Sequence, residues 1–380
     1  MPSRFFISVV FGVLGLLHAY IGLRILPELP IGTAGRTLGI LVLLSSYLLI
    51  PLSLLAPRLR RLRIGDRLAW AGLIAMGLFS SLLVLTFLRD LLLAAAALAG
   101  FGSAALSGDT AIAVPALALL ATAVGYVNAR RRARVVDVEV PIAGLAPALH
   151  GFTIAQISDI HVGPTIKRSY LDAIVDAVNG LQADLIAVTG DLVDGSVAQL
   201  APHTAPLARL RARHGSYFVT GNHEYYSGAP AWTAEVTRLG LRVLANEHVM
   251  LDHDGAPLLL AGVNDYTAHH FDPAQRSDPA AALAGAPSDS GPKILLAHQP
   301  RSAAAAADAG FDLQLSGHTH GGQFWPWNHF VRLQQPFTAG LHRLRALWVY
   351  TSRGTGYWGP PKRLGAPSEI TRLKLVPLSA

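Results

Sequence analysis

Five short segments of the C-terminal half bring carboxylate, imidazole and amide side chains close together along the chain. In order they read S-D-I-H, T-G-D-L-V-D, T-G-N-H-E, L-A-H-Q-P and S-G-H-T-H-G-G. Their potential metal ligands are Asp159, His161, Asp191, Asn222, His223, His298, His318 and His320. A single histidine after a strand is more often structural, but five segments that share these side-chain types favour a metal centre. The chain has no cysteine, so any metal must be held by nitrogen and oxygen ligands.

Each of these segments follows a short apolar run that is typical of a buried strand. The runs cover residues 153–158, 185–189, 217–220, 294–297 and 313–316, and two further runs cover 258–263 and 347–352. Helix-like stretches at 170–181 and 231–239 lie between some of them. Strands that alternate with helices predict central sheets covered by helices, in which ligands bind beyond the strand ends. We therefore expect the five segments to converge in the folded protein.

The order D-x-H, G-D-x-x-D, G-N-H-E, H and G-H-x-H resembles the calcineurin-like metallophosphoesterase superfamily over residues 150–375. The later motifs G-G-Q-F-W-P-W, S-R-G-T-G-Y-W-G-P-P and A-P-S-E-I-T further resemble a membrane-attached branch of that superfamily. The resemblance implies N-terminal transmembrane α-helices plus an α/β four-layer β-sandwich metallophosphoesterase domain. It also implies two divalent metal ions between the sheet edges. Many members have Asp where this chain has Glu224, and others have Glu.

The resemblance assigns seven metal ligands. One ion would be bound by Asp159, His161 and His320, the other by Asn222, His298 and His318, and Asp191 would bridge them. Two cations about 3.5 to 4 Å apart need an anionic bridge, and neutral imidazole and amide ligands keep the site positive enough to bind phosphate. The implied reaction is attack of a metal-bridging hydroxide on phosphorus. Mn²⁺ is the expected metal, with Fe or Zn as alternatives.

Five further polar residues near these motifs have candidate roles. By resemblance His223 faces the leaving oxygen as a general acid or electrostatic stabiliser, and the alternative is a structural histidine. Asp194 and Glu224 either orient the ligands or are solvated surface residues. Arg353 and Asp265 are weaker candidates for substrate binding.

The N-terminal half is apolar and basic. Four stretches approach the ~20 residues that cross a bilayer, and they cover 5–23, 37–56, 68–88 and 111–128. A fifth candidate, 91–107, follows Arg89 and Asp90 and either extends the third helix, re-enters the membrane or spans it. The first stretch lacks a small-residue cleavage site, so we expect a retained anchor.

Arginines mark two flanks of these stretches, and they are Arg58, Arg60, Arg61, Arg63, Arg67, Arg130, Arg131, Arg132 and Arg134. If both flanks are cytoplasmic, an even number of spans separates them, which favours four spans and a cytoplasmic catalytic domain in the cell membrane. Five spans would place that domain outside. We expect a transmembrane anchor domain at 1–134 and a metallophosphoesterase domain at 135–380.

The net charge of +7 does not predict nucleic-acid binding. Residues 1–134 hold 13 Lys and Arg against 4 Asp and Glu, whereas the remainder holds 18 against 20. The basic excess therefore belongs to the flanks of apolar spans, and we expect no nucleic-acid partner.

Aromatic residues follow the last metal motif, and they are Phe324, Trp325, Trp327 and Phe330, with Trp348, Tyr357 and Trp358 further on. They predict either contact with lipid headgroups or a packed lid. The bilayer and a phosphorylated lipid are the expected partners, and hydrolysis of a phosphodiester or pyrophosphate bond in a lipid-linked substrate is the leading hypothesis. One alternative is a membrane-tethered phosphodiesterase for soluble or cyclic nucleotides, whose substrate would be a small-molecule phosphoester. The other alternative is a non-catalytic membrane scaffold or sensor.

Overall fold

A computed structural model describes residues 4–59 and 64–378 of the chain. It divides into two compact units, one of Met1–Val127 with Gly359–Lys362, the other of Asn128–Trp358 with Arg363–Ala380. Each unit is described separately below.

The first unit contains four long apolar helices. They are α1 (Arg4–Ile25), α2 (Gly32–Leu59), α3 (Gly65–Leu98) and α4 (Ala104–Arg130, whose last residues belong to the second unit). All four are long and apolar enough to cross a bilayer, so the chain is a membrane protein with four candidate spans, as predicted. Arg60, Arg61 and Arg63, on which part of the orientation argument rests, lie outside the described residues.

The fifth apolar stretch is not a separate span. Its first residues continue α3 beyond Arg89 and Asp90, and its last residues begin α4. The helix passes through Arg89 because the guanidinium group is satisfied inside the bundle: it donates to Thr110 Oγ1 (3.1 Å) and to the Ser107 carbonyl (3.0 Å). A charged residue that finds such partners need not end an apolar helix.

The second unit contains two six-stranded sheets. The first has the order β1-β12-β2-β3-β4-β5 and the second has the order β10-β11-β9-β8-β7-β6. The strands of the first sheet are β1 (Arg134–Ile142), β2 (Thr153–Ile157), β3 (Leu185–Val188), β4 (Ser216–Phe218), β5 (Arg242–Val243) and β12 (Glu369–Pro377). Those of the second are β6 (Glu247–His253), β7 (Ala256–Gly262), β8 (Lys293–Leu296), β9 (Leu313–Ser316), β10 (Gly340–Leu344) and β11 (Leu347–Thr351).

Six helices complete this unit. They are α5 (Arg168–Gly180), α6 (Val197–Thr204), α7 (Asn222–Ser227), α8 (Ala229–Arg238), α9 (Pro279–Ala282) and α10 (Ala303–Ala309) among the described residues. The two predicted helices correspond to α5 and α8, and all seven predicted strand runs are strands.

Three apolar clusters show that the unit has four layers. One joins the inner faces of both sheets, for example Ile154 and Leu185 with Leu260 and Leu296. A second packs α5 and α8 on the first sheet, and a third packs α10 on the second sheet. Strands buried on both faces read as continuous apolar runs, which is why the sequence revealed them. The predicted four-layer α/β sandwich is confirmed.

Candidate metal centre

The ligand segments leave the carboxyl ends of five strands. Strands β2, β3 and β4 are parallel neighbours in one sheet, and β8 and β9 are parallel neighbours in the other. Parallel neighbours present their carboxyl ends at one edge of a sheet. The predicted ligands therefore follow closely after strand ends that meet at one edge of each sheet. The five ligand segments converge as expected.

The backbone at these residues is locally strained. Asp159, His161, Asp191, His318 and His320 all have positive φ, between 51° and 70°. Residues other than glycine seldom adopt this left-handed conformation, and it persists where the surrounding structure enforces it, commonly at functional sites. Five predicted ligands share this left-handed conformation, which favours a functional role over a purely structural one.

Two glycines let these turns approach each other. A Cβ atom at Gly221 would lie 2.2 Å from Asp191 Oδ1, and one at Gly317 would lie 2.1 Å from Asp159 Oδ2. Any side chain at either position would displace a carboxylate of the site. Glycine is therefore required at both positions by close contact.

The first cluster of ligands is formed by Asp159, His161 and His320. His161 Nε2 lies 3.1 Å from His320 Nε2, and His320 Nε2 lies 3.5 Å from Asp159 Oδ1. All three residues are buried. Two ring nitrogens and a carboxylate at such separations surround a volume that one cation can fill.

The second cluster is formed by Asp191, His298 and His318. His298 Nε2 lies 3.2 Å from Asp191 Oδ2 and 3.3 Å from His318 Nδ1. Asn222 Oδ1 is buried and has no hydrogen-bond partner among the described residues. A buried amide oxygen normally has a partner, so the unpaired oxygen of a predicted ligand fits a metal ion as its missing partner.

Asp191 reaches both clusters. Its Oδ2 atom is 3.2 Å from His298 Nε2 in one cluster and 3.8 Å from His161 Nε2 in the other. The carboxylate is thus placed where a bridging ligand between two cations would be needed. The residues present fit a pair of divalent metal ions.

A third group combines His161, Asp194 and His223. Asp194 Oδ1 lies 2.6 Å from His223 Nδ1 and 3.3 Å from His161 Nδ1. The carboxylate therefore orients two rings of the site at once, one a predicted ligand and the other the predicted acid. Of the two roles left open for Asp194, the structure supports orientation of the ligands.

Glu224 is fully buried and accepts hydrogen bonds from three backbone N–H groups. The donors are Asp191 N (2.9 Å), Leu192 N (2.8 Å) and Gly221 N (2.7 Å). Burial, and after it the Asp191 charge, raise the pKa of Glu224 to about 8, whereas the three donors favour its ionised form. The side chain fixes the loop of Asp191 against the loop of Asn222, so a solvated role is wrong.

The charges of the second cluster favour a cation. Burial opposes ionisation of Asp191, yet the neighbouring His298 holds the pKa of Asp191 well below its ordinary value. Burial likewise opposes charge on His298, but Asp191 raises its pKa above the ordinary value. The buried pair is thus an ionised carboxylate next to a protonated ring, and a metal ion can replace that proton. Burial, followed by the charge of His298, lowers the pKa of His318 to about 3, which leaves that ring neutral.

The pKa of His223 is raised, whereas that of His318 is lowered. Burial alone would lower its pKa, but the hydrogen bond to Asp194 and the charges of Asp191 and Asp194 raise the pKa of His223 to about 9. A protonated ring at neutral pH is the state that a general acid requires.

Arg363 supports the predicted ligand His320, and the sequence analysis did not identify this role. This fully buried guanidinium donates to the His320 carbonyl (2.8 Å), and its second amino group lies 3.1 Å from His320 Nδ1. Its position beside a lysine and two prolines gave no signal, because its partner is distant in the sequence.

The two weaker candidates lie near the site but have protein partners. Arg353 Nη1 donates to Glu369 Oε2 (2.8 Å), and its side chain is 35% exposed. Asp265 is buried and accepts from Gln299 Nε2 (3.1 Å), the residue after His298. Substrate binding by either residue stays a prediction.

Comparison with known proteins agrees with this geometry. Residues 152–322 match the family model for calcineurin-like phosphoesterase. A cattle relative described as a transmembrane protein with metallophosphoesterase domain is 43% identical over 69% of this chain and 62% of its own length. This chain thus spans about three fifths of that relative.

An uncharacterised metallophosphoesterase of Aquifex aeolicus is 32% identical over 57% of this chain and 82% of its own length. Among solved structures, the NAD nucleotidase of Haemophilus influenzae is similar over 54% of this chain and 51% of that chain, with 16% identity and a TM-score of 0.38. The ligand geometry, the family match and the high coverage of the Aquifex relative lead to one conclusion: the chain belongs to the calcineurin-like phosphoesterase family.

Proposed function

We propose that this protein is a membrane-anchored hydrolase of a phosphodiester or pyrophosphate bond in a lipid-linked substrate, with two divalent metal ions, most simply Mn²⁺. The observation that carries the hydrolase part is the position of Asp191 between two buried ligand clusters. When bound, the metal ions would supply positive charge for a phosphate and would lower the pKa of a water molecule. The seven predicted ligands would hold them.

His223 is suited to deliver a proton. Its Nδ1 atom is hydrogen-bonded to Asp194, while its Nε2 atom lies 3.9 Å from Asp191 Oδ2 and so faces the ligand clusters. Asp194 fixes the ring orientation and favours the protonated ring. His223 can then donate to the oxygen that leaves phosphorus, as a general acid does.

Exposed aromatic side chains support the lipid part. Trp325, Trp327, Phe330 and Trp358 are 42%, 42%, 53% and 53% exposed, whereas Phe324 and Tyr357 are buried. Only the buried pair fits a packed lid. The ring of Trp358 lies 5.5 Å from that of His223, so this apolar surface begins beside the proposed acid. Exposed aromatic residues in a chain that also has four candidate spans suit a substrate at a bilayer surface.

Soluble nucleotides are the second candidate substrate class. Tyr226 is 64% exposed, and its ring lies 5.2 Å from that of His223. The His223 ring thus has two exposed aromatic neighbours, Tyr226 and Trp358. Two exposed rings beside the acid could also stack on a nucleobase.

A non-catalytic scaffold is disfavoured, because all seven predicted ligand positions have competent side chains and six of them form clusters.

A substrate screen of the purified full chain in detergent tests this proposal. We expect added Mn²⁺ to support hydrolysis of lipid pyrophosphates or phospholipids in mixed micelles more than hydrolysis of cyclic nucleotides or bis(p-nitrophenyl) phosphate. Asp191→Asn should lower kcat by about 10³-fold and reduce bound metal, since removal of a key electrostatic group has effects of this order. The exposed Asp176→Asn is the matched control.

Good turnover of soluble esters with none in micelles would refute the lipid part. Unchanged metal content and activity in Asp191→Asn would refute the metal-dependent mechanism.

A further inference from the structure

A polar pocket lies directly beside the H-T-H motif of the metal centre. It is lined by Gly321, Asn328, His329, Arg332 and Thr338 and has a volume of about 470 Å³. Gly321 follows the ligand His320 in the chain, and Thr319 Oγ1 donates to the Thr338 carbonyl (2.6 Å). Both ends of the pocket wall are therefore fixed to the motif that carries His318 and His320.

Two glycines allow close packing of the loop beside the pocket. Gly321 has a φ of 59°, and a Cβ atom there would lie 2.9 Å from Arg353 Cγ. A Cβ atom at Gly322 would lie 2.1 Å from Asn328 Cα, so the loop packs backbone against backbone at this point. Gly322 thus lets Asn328 pack against the loop that follows the ligand His320.

Two polar atoms of the pocket residues have no partner. Asn328 Oδ1 and Thr338 Oγ1 are both shielded from solvent and lack a hydrogen bond among the described residues. A buried polar atom without a partner reduces stability, and native proteins retain few of them. A ligand that accepts from Thr338 Oγ1 and donates a hydroxyl to Asn328 Oδ1 would account for their retention.

The charge around the pocket favours an anion. Arg332 is exposed and has no ion pair with a described residue, and His329 is exposed beside it. The lining of the pocket contains no Asp or Glu. Arg332 can bind a phosphate through two parallel hydrogen bonds, and the Thr338 hydroxyl can donate to a further phosphate oxygen.

We propose that this pocket binds the second phosphate of a pyrophosphate-linked substrate while the first phosphate occupies the metal centre. The inference rests on the proposed hydrolase function and narrows it to substrates that carry two adjacent anionic groups. The pocket then acts as a specificity site, and its residues bind the substrate without taking part in bond cleavage.

The test compares two soluble substrates with the Mn²⁺-loaded full chain. UDP-glucose contains a pyrophosphate bond, whereas bis(p-nitrophenyl) phosphate contains a single phosphodiester. Arg332→Gln should raise the KM for UDP-glucose about tenfold, the equivalent of one charge-assisted hydrogen bond, and change kcat/KM for bis(p-nitrophenyl) phosphate less than about twofold. Arg168→Gln is the matched control, because Arg168 is exposed on α5 beside Asp172.

A second variant separates binding from folding. Thr338→Val removes the unpaired hydroxyl with little change in volume, so the melting temperature should stay the same or rise while the KM for UDP-glucose increases. A lower melting temperature with an unchanged KM would show a structural role and overturn the inference.

The remaining outcomes are also decisive. If the wild type hydrolyses bis(p-nitrophenyl) phosphate but neither cleaves UDP-glucose nor is inhibited by it, the pocket inference is wrong and the phosphodiesterase activity stands. Equal losses on both substrates in Arg332→Gln likewise overturn it. If the loaded wild type cleaves neither compound nor any micellar phosphoester, the proposed function fails and the inference fails with it.

Discussion

The carboxylate of Glu224 connects two ligand-bearing loops through backbone hydrogen bonds. Its Oε2 atom accepts from Asp191 N and Gly221 N, and its Oε1 atom accepts from Leu192 N. The loop after β3 and the loop before α7 are therefore held at a fixed separation, and Asp191 and Asn222 depend on it. Glu224 therefore supports the candidate metal centre through the backbone, although it is not one of the predicted ligands.

Glu224→Gln should destabilise the protein and weaken metal binding. An amide nitrogen cannot accept a hydrogen bond, so at least one buried backbone N–H loses its partner, at a cost of about 1 to 3 kcal/mol. The melting temperature of the full chain measures the loss of stability, and the metal content of the purified protein measures the loss of metal binding. Glu247→Gln, an isosteric change at an exposed position of β6, is the control. A wild-type melting temperature and full metal content in Glu224→Gln would contradict this role.

The sequence predicted the ligands of the site better than their supports. Ligands such as Asp159 and His320 follow apolar strands and therefore have a local signal. The supporting pairs, Arg363 with His320 and Glu224 with the Asp191 loop, join segments that are distant in the chain. Such pairings depend on how the two sheets meet, which no local pattern contains.

Among the secondary-structure elements, buried strands and the alternating edge strand β1 were predictable, whereas the short or irregular edge strands and the returning strand were not. Central strands such as β3 and β8 are continuous apolar runs because both faces are covered. Strand β12 inserts between β1 and β2, parallel to one and antiparallel to the other, although it lies near the end of the chain. Strand β5 has two residues and β10 is a partly exposed edge, so neither has a distinct hydrophobic pattern.

Packing within the helical unit depends on small residues. A Cβ atom at Gly72 of α3 would lie 2.3 Å from the Leu49 carbonyl oxygen and 2.5 Å from Ser53 Cβ, both of α2. The two helix backbones are therefore in close contact at this glycine. Small residues allow this approach in membranes, where van der Waals packing replaces the hydrophobic effect between helices.

Gly72→Ala should separate α2 from α3. Because the clash is with backbone, no side-chain rotation relieves it, and we expect a loss of about 1 to 3 kcal/mol, as in other overpacked interiors. Gly108→Ala in α4 is the matched control, since a Cβ atom there has no atom within 4 Å. Melting temperatures in one detergent compare the variants, and equal values for Gly72→Ala and Gly108→Ala would disprove the close packing.

Four apolar helices come first in the chain, and a four-layer α/β unit follows them. Residues 359–362 are an exception to this order, because they belong to the helical unit: Lys362 Nζ donates to the Gly77 carbonyl (3.0 Å) of α3. A segment late in the sequence is thus part of the membrane unit. The sequence offered no hint of this, since a lone lysine after two prolines is typical of a surface loop.

The absence of cysteine makes membrane orientation directly measurable, because each introduced cysteine is the only thiol of the chain. Gly102→Cys lies in the exposed loop between α3 and α4, and Ala280→Cys lies on the exposed face of α9. One candidate span, α4, separates the two positions, and the arginines at its end, Arg130 to Arg134, favour the cytoplasmic side. We expect an impermeant maleimide to label Gly102→Cys in intact cells and Ala280→Cys only after permeabilisation, with no label on the parent chain. Labelling of Ala280→Cys alone in intact cells would reverse the orientation, and equal labelling of both would show that α4 does not cross the bilayer.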